Sequence, residues 1–594
     1  MTTNMTDTEI AALLTENDRR NEIMYAHFDP VTGEGSVGER VRVCISDFAI
    51  PIQWLPVEMM NVTFVKKLVK AGSISRFLSD VLHVEPDNTD YIKVSRQFIR
   101  LRYKHDFPFW AATLVYIHNK KAGKDVLFRL YYPQRILVSR FEARRKAKEP
   151  IRLILLKARQ WGGSTTTQLY MAWLQFFHKK GLNSLIIAHQ GTASDEIKDM
   201  FDNMIKKYPV EFLHKMGEAY SQNEPKLVGV GKSGSTSRVP QRNCKIKIGT
   251  AERPDGCRGG AYSLVHLSEV GIWKKTDGKS PEDIVRSACS GILDEPYTMI
   301  VMESTANGTG NFFHTEYSAA ADPQIPSQFE ALFIAWFQIE HYSRPFASAD
   351  EQRDFAQHLW LNRFNANVPS NREESGRYLW SLWERGASME AINWYIRERS
   401  GKNDFAVMAS EFPSDDTEAF VHSGTMVFDK YLVKRFEPYC RPPQFIGEVY
   451  ADADEGEDAL KNLRFSEDKQ GLLHIWAKPE VFDDVEVTDR YLTVVDIGGR
   501  SNKADWSVIV VFDRLSMIDG SEPPSVVAQW YGHCDIDRLA WRAAQIAAYY
   551  NESLLVIESN TLETHDKERQ VEGGDQSQYI LNQISNIYPA GRGC

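Results

Sequence analysis

Short apolar runs set the rhythm of the middle of the chain. "IRLILL" (151–156) reads as a buried strand, and so does "SLIIAH" (184–189). "CKIKIGTA", "YSLVHLSE", "YTMIVMEST" and "FEALFIAWF" are four more runs of strand length. Helical stretches separate the first of them. One covers residues 164–180 and stops at Gly181; the other, "ASDEIKDMFDNMIKKYP", is closed by Pro209. Strands alternating with helices predict a mostly parallel α/β sheet that ends near residue 345.

The flanks read differently. Residues 1 to about 105 show no clear period, except that 62–82 read as helical. From 106 on, "LFRLYYPQRILVSRFEARRKAKEP" is strand-like and then a basic helix ending at Pro150. Residues 346–440 are rich in Trp, Arg and Glu and largely helical. The acidic stretch "YADADEGEDALKNLRFSEDKQG" (450–471) reads as a loop. A second sheet then begins with "YLTVVDIGG", "WSVIVVFDR" and "SVVAQWYGH". A helix across 537–550 and a further strand, "SLLVIES", come after them. No internal repeat is present. The pattern predicts an N-terminal extension over 1–105 and a first α/β core over 106–345. A helical and linker region spans 346–485, and a second α/β domain spans 486–594.

Composition adds little to this picture. The chain has 594 residues, 43% hydrophobic and 25% charged, as in an ordinary multidomain globular protein. Its N-terminal stretch is polar, without the apolar segment of a secretory signal, and no run approaches the roughly 18 apolar residues of a membrane span. Seven cysteines, scattered and odd in number, do not form a disulfide framework, and no C-x-x-C pair suggests zinc. A reducing cytosol fits. The net charge of −10 argues against a protein that coats nucleic acid but leaves room for a local basic channel.

Candidate chemistry starts at "LILLKARQWGGSTTTQLYMAW", an apolar strand, a Gly-Gly turn and a Ser-Thr helix start. That is the layout of a phosphate-binding loop, but Lys157 stands where the first Gly of G-x-x-x-x-G-K-[ST] belongs, and Gly163 where the Lys belongs. Gly162 and Gly163 allow close backbone approach, and Ser164 or Thr165 can hold Mg²⁺ at a helix N-terminus. Lys157 can reach phosphates from the opposite rim, with Arg159 as a second cation. The lysine role is thus expected to have moved, and a lysine placed at Gly163 to replace Lys157 in part. A plain Gly-rich turn without a ligand is the alternative. "YSLVHLSE" ends in Ser268-Glu269, where only Glu269 is a carboxylate able to activate water; a capping Ser-Glu pair is the alternative. Ser304, Thr305 and Asn307 end a further strand and are placed to sense a γ-phosphate, unless they form only a turn. Asp496 and Glu558 each close a strand. Side by side they would hold metal ions for phosphodiester hydrolysis, with Asp505 as an outer ligand; solvated strand-end acids are the alternative. His266 and His533 read as structural, and the Trp residues of 377–402 as core.

In this order the motifs resemble the large subunit of the DNA-packaging terminases of tailed double-stranded DNA phages, over roughly residues 105–590. "KARQWGGST" looks like that family's deviant Walker A motif. "CRGGAYSLVHLSE" looks like its Walker B region, with Ser268 for the usual Asp. "STANGTGNFF" looks like its coupling motif, and "EFPSDDTEAFVHSG" like the segment closing the ATPase half. The resemblance implies that "YYPQR" supplies Gln134 as an adenine contact. It also implies that "VVDIGGRSNKADWSVIVVFD" and "LLVIESN" are the first two acidic strands of an RNase H-like nuclease. The expected fold is therefore an ASCE-type P-loop ATPase domain followed by an RNase H-like domain. The expected cofactors are ATP with Mg²⁺, and Mg²⁺ or Mn²⁺ for the nuclease. The resemblance further implies a ring, usually a pentamer, on the procapsid portal protein. The other partners would be the small terminase subunit and viral double-stranded DNA, in the host cytoplasm, with no membrane. The family's third nuclease acid is missing. Glu563, Asp566, Glu568, Glu572 and Asp575 lie in a loop-like run, and a sheet of four strands would leave "LLVIE" poorly covered. A truncated nuclease domain is the expectation. Three rivals stay open: a helicase-like ATPase without nuclease, a resolvase or integrase with a degenerate P-loop, and an inactive capsid or portal scaffold component.

Overall fold

The computed structural model describes residues 6–119, 123–230, 236–253, 260–274, 280–402, 405–421, 440–482, 485–486, 489–498, 506–518, 520, 523–557, 584 and 587–588. The chain divides into two compact units, Met1–Lys430 and Tyr431–Cys594.

The first unit is built on eight strands: β1 (Ile151–Lys157), β2 (Ser184–Ala188), β3 (Val228–Val230), β4 (Thr236–Val239), β5 (Cys244–Thr250), β6 (Leu264–Ser268), β7 (Met299–Ser304) and β8 (Glu330–Ile334). Their order across the sheet is β8-β1-β7-β6-β2-β5-β4-β3. From β8 to β5 the strands run parallel; β4 and β3 continue antiparallel. The six apolar runs of the sequence are thus the six parallel strands. β1, β6 and β7 are buried along their whole length, as strands covered on both faces must be. Alternation along them splits the core in two. Leu153 and Leu155 pack with Leu169 and Trp173 on one face. Ile154 and Leu156 pack with Ile284 and Phe313 on the other. The short strands β3 ("VGV") and β4 ("TSRV") at the antiparallel end of the sheet carry too little apolar surface to stand out in the sequence.

Four helices position the site or brace it: α1 (Asp7–Met24), α2 (Tyr132–Ala147), α3 (Gly163–Trp173) and α4 (Met389–Ser400). The first 105 residues are far from featureless. They hold α1, a hairpin of Arg40–Cys44 with Ile52–Pro56, and a helix over Asn88–His105. α1 buries only Ile10, Asn17 and Met24. It docks through hydrogen bonds instead. Asn17 donates to the Glu390 carboxylate at 3.0 Å and accepts from the Met389 N–H at 2.7 Å, while Arg20 donates to the carbonyls of Trp383 and Ala387. A helix seated by polar contacts leaves no hydrophobic period to read. Trp383 is buried, and Trp394 stacks on Tyr342 and Trp336, so both belong to the core.

The second unit is a seven-stranded sheet of β9 (Phe445–Tyr450), β10 (Arg464–Glu467), β11 (Leu473–Ile475), β12 (Tyr491–Asp496), β13 (Ser507–Asp513), β14 (Ser525–Gly532) and β15 (Leu554–Ile557), in the order β10-β9-β11-β14-β13-β12-β15. β12, β13 and β14 form an antiparallel meander. α5 (Ile536–Tyr549) comes next, and β15 pairs parallel with β12. Val495, Ile509 and Val511 pack under Leu539, Ala543 and Ala547 of α5.

Two expectations change here. The second sheet begins at Phe445, well before residue 486, so the stretch 450–471 is not simply a loop. It contains β10 and a short 3₁₀ turn that buries Ala459. Charged residues on the exposed β10 hide it, a common device of edge strands. The strand "LLVI" is also covered: Ile584 and Tyr588 are buried in the same core as Leu555, and the Tyr588 hydroxyl donates to the Ser553 carbonyl at 2.5 Å. The apolar face invoked for a truncated sheet is therefore not bare. Among the described residues no helix is long and apolar enough to cross a membrane.

Candidate active site

β1 ends at Lys157, and the chain turns through residues 158–162 to open α3 at Gly163. Gln160 and Gly162 adopt φ of 63° and 77°. No side chain caps α3, which leaves the N–H groups of its first turn for a ligand. Both glycines are required by close approach. A Cβ at Gly162 would lie 2.7 Å from Gln134 Nε2, and one at Gly163 would lie 2.7 Å from the Trp161 ring. Gln134, buried on α2, donates to the carbonyls of Trp161 (2.9 Å) and Gly162 (3.3 Å) and accepts from the Tyr131 N–H at 2.9 Å. Its carboxamide thus holds the loop backbone in place.

The register of β6, β7 and β1 assembles the charged centre. Ser268 pairs with Glu303, Glu303 with Leu155. Lys157, two residues beyond Leu155, therefore shares a sheet face with Glu303, Ser268 and His266 at the carboxyl ends of the strands. In an open parallel sheet that is where ligands bind. Lys157 is buried, and its Nζ donates to Glu269 Oε1 at 2.8 Å and lies 4.0 Å from Glu303 Oε2. Glu303 is fully buried. Its Oε1 accepts from Ser268 Oγ at 3.1 Å and from Ser164 Oγ, with His266 Nε2 at 3.1 Å. Its Oε2 has no hydrogen-bond partner. Glu269 sits at φ 56°, a left-handed conformation costly for Glu. The Thr305 N–H (3.1 Å), Thr305 Oγ1 and Ser304 Oγ donate to its Oε2. Ser304 Oγ in turn accepts from the Gly271 N–H, and Asn307 donates to the Gly271 carbonyl, both at 3.0 Å.

Burial by itself would raise both carboxyls and lower the ammonium. Mutual attraction wins: Lys157 and His266 hold Glu303 down at about 2. Lys157 likewise keeps Glu269 below its usual range, and the two carboxylates lift Lys157 above its own. All three are therefore charged at neutral pH.

The rest of the site is more open. The Arg159 side chain is 55% exposed, and its Nη1 donates to Glu411 Oε1 at 2.9 Å. The Arg159 N–H donates to the Glu411 carbonyl, and Trp336 N–H to that of Pro413, so the segment from Glu411 braces the loop. Ser164 and Thr165 are half-buried at the start of α3. His266, read as structural, is fully buried beside Glu303 and contacts Gln168 at 3.3 Å.

In the second unit Asp496 ends β12, exposed. Val495 pairs with Ile557, the residues just before Asp496 and Glu558. Asp505, Glu558, Glu563, Asp566, Glu568, Glu572 and Asp575 lie outside the described residues. Among the described residues no three His, Cys, Asp or Glu side chains are grouped to hold a metal ion.

Sequence reasoning missed Glu303 and Glu411. Glu303 had a signal: a carboxylate at the end of an otherwise apolar, fully buried run, "YTMIVMEST", immediately before Ser304. Glu411 had none, since its partner is 252 residues away in the chain.

No protein-family profile matches the chain, and neither does any curated protein. Similar solved structures include the large terminase of bacteriophage HK97, at 11% identity over 76% of this chain and 73% of that one, with a TM-score of 0.34. The ATPase domain of the Thermus phage P74-26 large terminase is 18% identical over 38% of this chain and 87% of that one, with a TM-score of 0.22. The large terminase of a further thermophilic bacteriophage is 8% identical over 74% of this chain and 76% of that one, with a TM-score of 0.24. Scores this low make these likenesses only, and the reading of the chain rests on its own residues.

Proposed function

We propose that the first unit hydrolyses ATP and that the chain is a DNA-packaging motor of the phage large-terminase type. Viral double-stranded DNA is its track. The portal, the small terminase subunit and further copies of this chain, in a ring of about five as the resemblance implies, are its partners. The observation that carries the ATPase reading is the Lys157–Glu269–Glu303 centre, with Lys157 and Glu303 buried, beside an uncapped Gly162-Gly163 helix start. The donor set fits a nucleoside triphosphate with Mg²⁺. Two glycines admit no Cβ, a helix start offers N–H groups, Ser164 offers a hydroxyl, and Glu303 Oε2 lacks a donor. When bound, the ion neutralises charge on the phosphate oxygens.

The residues then divide the work. The α3 N–H groups bind phosphate. Lys157 exchanges Glu269 for phosphate oxygens, which releases the Glu269 carboxylate to orient a water and accept its proton at Oε1. Ser304 and Thr305 hold Glu269 in place. Asn307 ties their loop to Gly271, so a change at the carboxylate is passed to the turn after β6. Arg159 adds positive charge once it leaves Glu411.

The second unit is assigned, with the same resemblance, as a metal-dependent nuclease. A three-strand meander, a helix and a strand parallel to the first suit an RNase H-like sheet, and Asp496 stands at the end of the first strand. Asp505 and Glu558 complete its proposed ligand set. A helicase-like ATPase has no use for Asp496.

The test is ATPase activity of the full chain with and without purified procapsids, for the native chain and Glu269→Gln. Stimulated turnover that Glu269→Gln loses supports the reading. No turnover in either condition overturns it.

A further inference from the structure

We propose that Glu303 on β7 supplies the carboxylate that holds the hydration shell of the nucleotide's Mg²⁺, in place of an acid at the end of β6. The proposal rests on the ATPase reading above.

Ser268 ends β6 without a carboxyl group. Its hydroxyl is instead a donor to Glu303 Oε1. The second donor to that oxygen is Ser164 Oγ, the hydroxyl at the start of α3 that faces the phosphate cradle. Ser164 would be the hydroxyl that holds Mg²⁺, and a carboxylate in contact with it would be an acceptor for the ion's water. The topology makes this possible. β7 lies between β6 and β1, so Glu303, paired with both Ser268 and Leu155, is one strand nearer the loop than any residue of β6.

Glu303 Oε2 supplies an independent argument. It belongs to a side chain with no exposed surface and has no hydrogen-bond donor. Its nearest cation, Lys157 Nζ, is 4.0 Å away and already bonded to Glu269. A buried ionised oxygen without a donor is costly, and such a group calls for a partner. Water on a hydrated divalent ion donates hydrogen bonds, and Mg²⁺ at phosphates keeps several waters while using only one or two carboxylates. A mere counter-ion to Lys157 would need neither Ser164 nor the open oxygen.

The experiment measures binding of a fluorescent ADP analogue to the full chain, with Mg²⁺ and with EDTA, and takes the ratio of the two affinities. Mn²⁺ binding to the nucleotide complex is read in parallel by electron paramagnetic resonance. Glu303→Gln is expected to cut the metal-linked ratio by about 10- to 100-fold, the scale for losing a partner of a metal's shell. Ser268→Asp in the Glu303→Gln background is expected to restore part of it, because the carboxylate returns on the paired residue. Should Glu303→Gln not fold, Glu303→Asp keeps the charge one methylene short and is expected to weaken the ratio while the circular dichroism stays native. A full metal-linked ratio in a folded Glu303 variant overturns the proposal and leaves the ATPase reading standing. A native chain that binds no nucleotide with or without metal overturns both.

Discussion

Removing Lys157 strands one buried carboxylate, Glu303, and one half-buried, Glu269, and the cost can be worked from the distances. At 2.8 Å and 4.0 Å, with an effective dielectric of about 20, the ammonium attracts Glu269 and Glu303 by about 6 and about 4 kcal/mol. Desolvation of each ion takes back several kcal/mol, and breaking a buried pair from one side costs about 3–5 kcal/mol because the other charge stays behind. Lys157→Ala is expected to destabilise the first unit by that amount near neutral pH, and to abolish ATP turnover. The pH dependence separates this cause from a packing defect. In the native chain Glu303 is held at about 2, below its ordinary 4.5. Its stabilising contribution is therefore present above 4.5 and lost as pH falls toward 2. Without the cation burial dominates, the carboxyls rise, and each costs stability as pH climbs past its unfolded value. The loss caused by Lys157→Ala should thus be larger at about pH 8 than at about pH 5. Adding Glu269→Gln should recover about 0.5–3 kcal/mol, the range of coupling between contacting residues. The assay is urea unfolding of the native chain and the two variants at both pH values. A loss equal at both, or no recovery in the double variant, would refute the charge argument.

Four further positions carry shorter predictions. Glu269→Gln should bind ATP and hydrolyse it at least ~100-fold more slowly, the scale of a lost general base; normal turnover would assign the role to another carboxylate. Gly163→Lys should not rescue Lys157→Ala, because its Cβ would press on Trp161 at 2.7 Å. Gly163→Ala by itself should cost about 1–3 kcal/mol in thermal unfolding, and a rescued ATPase would show that the loop relaxes. Asn307→Ala removes the bond to the Gly271 carbonyl and should leave ATP binding intact while raising ATP consumed per length of DNA protected in procapsids; an unchanged ratio would remove Asn307 from coupling. Asp496→Ala should abolish Mn²⁺-dependent nicking of plasmid DNA, and nicking that survives would place the nuclease acids elsewhere.

What could be read from the sequence depended on which interaction held each element. β1, β2, β6 and β7 were legible because strands covered on both faces must be apolar along their length, and β5 and β8 because their buried positions alternate. α1 was not, because Asn17 and Arg20 seat it through hydrogen bonds. β10 was hidden by the charges that an exposed edge strand carries. The site divided in the same way. Lys157, Gly162, Gly163, Ser164 and Glu269 lie in two short windows, and their residue types announced phosphate chemistry. Glu303 lies in a third window, and its type alone said nothing. Its meaning comes from strand order: a sheet running β1-β7-β6 puts β7 between the loop and the strand whose acid is missing. By sequence, Ser268 is only a departure from the Asp that the resemblance leads one to expect. Once β7 stands between β6 and β1, a carboxylate on β7 reaches Ser164 directly, and the hydroxyl of Ser268 becomes a donor that fixes it. Where an expected acid is absent from one strand end, the paired residue of the intervening strand is therefore the place to search, and a period of sequence cannot reveal it because the register is set only when the sheet forms.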